Sequence, residues 1–117
     1  VVSQDAGEMT IEEEYRQTAC GSIPVSDRTR GLLRYFGQRA EQSDPEWAIA
    51  IRAVATLKPE TVRCYFGAEY LMKFSGKPSD EFEEDSLAAV TGLSLDVVRG
   101  AILELAQSKV YRQCGLN

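Results

Sequence analysis

The stretch that leaves the chain the fewest options is SDPEWAIAIRAVATLKPE, Ser43 to Glu60, because two prolines fence it. Asp44 is an N-cap residue, Pro45 suits the first helical position where its missing N–H costs nothing, and Glu46 faces the positive end of the helix dipole. At the far end Lys58 precedes Pro59 and is pushed out of the helical region, so the helix closes and a new one opens. Between Trp47 and Leu57 only Arg52 and Thr56 are polar. That composition predicts a helix surrounded on most sides, and it is the expected central core helix.

The rest of the chain is punctuated in the same way. Thr10 with Glu13 forms a capping-box pattern, and Ile11, Tyr15 and Ala19 follow at helical spacing. Gly21 and Pro24 end that short helix. Ser26 caps DRTRGLLRYFGQRAEQ, where Leu33, Phe36 and Ala40 make a stripe and Arg30 and Arg34 share another face. Gly31 and Gly37 weaken this helix by about 1 kcal/mol each unless they permit close packing. From Pro59, Val62, Phe66, Tyr70 and Phe74 recur every four residues until Gly76 and Pro78. Five acids lie among Asp80 to Asp85, read as a solvated helix start favoured by the dipole. Gly92 then turns the chain into a last helix over 94–108.

These elements predict a mostly α single domain over 1–117: five to six helices ending in a helix-turn-helix, with at most a short β-strand or wing at the C-terminus. It divides into an acidic N-terminal segment with a short helix (1–22), a helical core (23–78) and a helix-turn-helix-like unit (79–117). At 117 residues, 44% of them hydrophobic and 26% charged, the chain can bury a core of its own. No run approaches the roughly 20 apolar residues of a membrane span, and no secretory signal stands at the start. Cys20, Cys64 and Cys114 are widely spaced and odd in number. A cytoplasmic protein with reduced thiols is expected.

Several chemistries drop out. The chain has no histidine, which removes histidine-activated nucleophiles and histidine-ligated metals. No glycine-rich phosphate loop is present, no carboxylate stands isolated in an apolar setting, and Cys20 in TACGS lacks a neighbouring base. Neither enzymatic activity, cofactor nor metal is expected. The charge is −5 overall but unevenly spread. Residues 1–22 carry five acids against one base, 23–78 six against nine, and 79–117 seven against three. A polyanion would therefore prefer the middle.

Residues 85–112 carry the functional signal. Ala88 is small where two helices would cross, Gly92 suits a left-handed turn, Leu93 can plug that turn into the core, and Ser94 can cap the next helix. Leu87, Val98, Ala101, Ile102 and Leu105 supply the inner faces. With these features LAAVTGLSLDVVRGAILELAQSKVYR resembles the helix-turn-helix of winged-helix transcriptional regulators. The resemblance implies a recognition helix offered to the major groove of duplex DNA and a wing near Val110 to Arg112, where Val110, Tyr111 and Cys114 could form a strand.

The residues that would meet DNA or a partner are Ser94, Leu95, Asp96, Val97, Arg99 and Leu103, with phosphate contacts from Arg30, Arg34, Arg63 and Arg112. Arg99 is a conventional DNA contact. Asp96 repels phosphate, and Leu95, Val97 and Leu103 suit thymine methyls or a protein surface. The expected function is a small DNA-associated regulator, working as a homodimer because one weakly charged helix supplies few contacts. The alternative is a protein-interaction domain of a larger complex, docking through the apolar face of the same helix. A shift of 36 residues sets Ala53–Lys73 on Ala89–Lys109, with Arg63 over Arg99. That correspondence raises a second helix-turn-helix or, more simply, two amphipathic helices that each follow a turn.

Overall fold

The computed structural model describes residues 10–74 and 84–110. They form six helices: α1 (Ile11–Cys20), α2 (Asp27–Ala40), α3 (Pro45–Val54), α4 (Pro59–Phe74), α5 (Glu84–Thr91) and α6 (Leu95–Ser108). No strand occurs among the described residues. The mostly helical fold class is as the sequence predicts.

The helix starts follow the local chemistry. Thr10 Oγ1 accepts from Glu13 N at 3.1 Å, Asp44 Oδ1 from Trp47 N at 3.1 Å, and Ser94 Oγ from Val97 N at 3.3 Å. The Glu13 carboxylate does not close the box at α1; it binds Arg16 at 2.5 Å and Gln17 at 3.2 Å instead. Gly21 ends α1 with φ +91°, and Gly92 links α5 to α6 with φ +75°, both in the left-handed region that a side chain would strain. Gly37 earns its place in α2 by letting α3 approach: a Cβ there would stand 3.0 Å from Ala48 O and 3.0 Å from Ile51 Cγ2.

The centre of the molecule is α4, not α3. Thr61, Val62, Cys64 to Glu69 and Leu71 of α4 are all buried, and the helix packs on α1, α5 and α6. Tyr15 of α1 meets Phe66 edge-on with centroids 5.3 Å apart, and Tyr65 meets Phe66 at 5.4 Å. Gly67 brings α5 close, since a Cβ there would lie 3.2 Å from Thr91 Cγ2. By contrast α3, the more apolar of the two in sequence, packs mainly on α2 and more lightly on α6 and leaves Ile49 67% exposed. α4 thus forms a buried shelf that α6 rests on. Thr61 Oγ1 donates to the Glu104 carboxylate of α6, which also pairs with Lys58 Nζ at 3.8 Å.

Lys109 takes φ 67° and caps α6, and Val110 beyond it is buried. Val110 is not in a strand. Tyr111, Arg112 and Cys114, the rest of the anticipated strand and wing, lie outside the described residues, as do Asp80, Glu81 and Glu83 of the acidic run.

Candidate docking and recognition face

Helices α5 and α6 are joined by Gly92, Leu93 and Ser94 and bend through 109° at that break. A three-residue turn with a left-handed glycine and a crossing of about 90–120° is the local geometry of a helix-turn-helix. The inner faces are those expected: Leu87, Val98, Ala101 and Leu105 are buried, while Ala88, Leu93 and Ile102 pack against the core from partly exposed positions. Thr91, buried at the end of α5, secures the turn, its hydroxyl donating to Leu87 O at 2.7 Å and accepting from Leu93 N at 3.2 Å.

At 100° per residue, burial of Val98, Ala101 and Leu105 turns the opposite side of α6 outward. Leu95 and Val97 fall on its two edges, each 37% exposed, and Leu103 stands between them at 57%. Asp96 and Gly100 share this outer side. A Cβ at Gly100 would meet nothing within 4 Å, so the middle of the face is flat and open. Ser94 is exposed at the helix start but its hydroxyl is engaged in the cap.

Arg99 is exposed, and two carboxylates hold it. Its Nε donates to Glu84 Oε1 of α5 at 2.9 Å, and Nη1 lies 3.7 Å from Asp96 Oδ1. The hydrogen bond to Glu84 raises the guanidinium above its ordinary range, with smaller contributions from Asp96 and Asp85. Counting these neighbours, the outer face of α5 and α6 presents three carboxylates around one cation.

The anticipated phosphate contacts do not gather near this face. Arg30 Nη1 donates to Ala55 O at 2.8 Å and Leu57 O at 2.6 Å, capping the end of α3. Arg63 Nε donates to Ala19 O at 3.0 Å while its Nη2 donates to Thr91 O, so one half-buried guanidinium caps the ends of α1 and α5 together. Arg34 is exposed on α2, on an element that does not pack against α6. Arg112 lies outside the described residues. The shifted copy, Ala53–Lys73, does straddle a turn into a helix, but that helix is the buried α4 and offers no recognition face. Sequence spacing missed Glu84, because the partner of Arg99 comes from the preceding helix across the turn. The acidic run containing Glu84 was the available signal.

No family model, curated protein or solved structure matches this chain. Among the described residues no single helix is long and apolar enough to cross a membrane.

Proposed function

We propose that the chain is a non-catalytic protein-interaction domain that docks through the outer face of α6. The observation that carries this reading is the pairing of Arg99 with Glu84 and Asp96 while Leu95, Val97 and Leu103 stay exposed. Phosphate binding needs unpaired cations, since affinity for duplex DNA rests on displaced counterions. Here the cation is neutralised and its neighbours are acidic. Exposed aliphatic side chains flanking an open glycine suit a partner that lays an apolar stripe along α6, with basic residues toward Glu84, Asp85 and Asp96.

A second reading, a helix-turn-helix regulator that offers α6 to the major groove as a homodimer, is supported by the 109° bend and the glycine turn. It requires Arg99 to leave both carboxylates.

Fluorescence anisotropy separates the two. The protein is titrated at low salt against a labelled generic duplex and against a labelled amphipathic helical peptide of leucine and lysine. The docking reading expects the peptide to bind, Leu103→Asp to weaken it by about tenfold or more, and the duplex to stay unbound at tens of micromolar. Duplex binding that falls steeply with salt and disappears in Arg99→Ala would establish the regulator reading instead.

A further inference from the structure

A second surface, on the opposite charge balance, lies where α2, α3 and α4 meet. There a groove of about 400 Å³ is lined by Tyr35, Phe36, Trp47 and Tyr65 together with Tyr15 of α1 and the Glu69 side chain, with Arg39 and Lys73 at its rim. Its floor is firm, because Tyr65 is buried in the core, while Phe36 and Trp47 are only partly covered and Tyr35 is 49% exposed. The groove is open along one side rather than enclosed.

The rim cations differ. Lys73 Nζ lies 3.4 Å from Glu69 Oε1, so it has a carboxylate already. Arg39 has none among the described residues: its Nη1 donates to Tyr35 Oη at 3.3 Å, and its guanidinium carbon stands 5.9 Å from the Tyr35 ring centroid. Stacking on an aromatic ring and bonding a neutral hydroxyl orients a guanidinium without neutralising it. Its remaining donors can take a carboxylate in the bidentate geometry that makes arginine–carboxylate pairs strong.

We propose that this groove binds an extended peptide segment of a partner protein in which aromatic residues alternate with acidic ones, the rings lying against Phe36 and Trp47 and a carboxylate pairing with Arg39. An extended chain sends alternate side chains to opposite sides, so a ring can enter the groove while the next residue reaches its rim. Aromatic rings are the side chains that gain most from such walls, through burial and edge-to-face contact. Glu69 and Lys73 offset each other in the groove, which leaves Arg39 as its unmatched cation among the described residues, whereas the apolar face of α6 carries an excess of carboxylates, so the two surfaces favour partners of opposite charge.

Trp47 is the only tryptophan in the chain, so its emission reports the groove directly. The test is a fluorescence titration of the intact protein with a blocked short peptide alternating phenylalanine and aspartate, free of tryptophan and tyrosine. The expected result is a saturable change in Trp47 emission, weakened about tenfold or more by Arg39→Glu and absent for the same peptide with lysine replacing aspartate. Arg39 is exposed, and circular dichroism checks that the variant is folded; Arg39→Ala serves as the milder second variant. No saturable change up to about 1 mM, a lysine peptide that binds as well, or unchanged affinity in both Arg39 variants would overturn the proposal. Loss of the groove would leave the α6 reading untouched, since Leu103→Asp addresses that face alone.

Discussion

Helices α4 and α6 begin from similar sequences and end in opposite situations. Each follows a turn, and the register that sets Ala53–Lys73 on Ala89–Lys109 puts Arg63 on Arg99. Yet α4 is buried along its length, and its arginine caps two other helices from within the fold. α6 buries one side, and its arginine lies outside among carboxylates. The difference teaches that local spacing specifies a helix after a turn, whereas the number of helices packed around it decides whether it becomes scaffold or surface.

The comparison can be broken most forcefully in the core. Phe66→Ala should cost about 3–5 kcal/mol through lost contacts with Tyr15 and Tyr65, whereas Leu103→Ala should stay within about 0.5 kcal/mol; urea unfolding curves give both. Equal effects would erase the distinction between shelf and face. Next, Arg63→Ala should destabilise by about 1.5–3 kcal/mol, because two helix-end carbonyls lose a charged donor. Arg99→Ala should leave the urea midpoint unchanged.

Alkaline pH provides a third test. Burial pushes the Cys64 thiol from its ordinary 9 up to about 11, and burial with help from Glu69 and Glu14 pushes Tyr15 up to about 12. Tyr65 moves the same way, chiefly through burial. A folded-state pKa above the unfolded one means that the unfolded chain releases its proton first. The stability is therefore complete below pH 9 and declines as pH rises toward 11, by roughly 1 kcal/mol per pH unit from Cys64 alone. Cys64→Ala should flatten the first part of that decline in a series of unfolding midpoints.

The smallest expected effect concerns two of the helix-interior glycines, Gly100 and Gly67. Gly100→Ala should stabilise by about 0.5–1 kcal/mol, since its site is open and helical. Gly67→Ala should gain nothing, because the new methyl presses on Thr91. Differential scanning calorimetry of the pair would show a gap of a few degrees in Tm.

Much of this arrangement was legible beforehand. Caps at Thr10, Asp44 and Ser94, the turn at Gly92 and the inner residues Leu87, Val98, Ala101 and Leu105 all follow from short-range chemistry, and the structure uses them so. The choice of central helix was not legible. α3 is the more apolar segment, while α4 carries Glu60, Arg63, Glu69 and Lys73 and so looks amphipathic. Two of those charges are absorbed inside the fold, Arg63 by carbonyls from α1 and α5 and Glu69 in a buried position beside Lys73. Such pairings involve elements far apart in the chain. For the same reason Arg99 reads in the sequence as a free contact, whereas the fold sets Glu84 beside it.

The guanidinium of Arg63 has a kinetic consequence. It gathers carbonyls from the first and fifth helices, so the clasp cannot be completed by its contact with Thr91 until most of the chain has been synthesised and the segment between Arg63 and Thr91 has closed. A nascent chain lacking its last quarter would hold Arg63 with half its acceptors missing, and a separately produced 84–110 peptide would have neither the shelf nor the clasp. The helix pair that carries the outer face should therefore mature late and as part of the whole domain, with slow amide exchange near Thr91 appearing only when Ala19 is also in place.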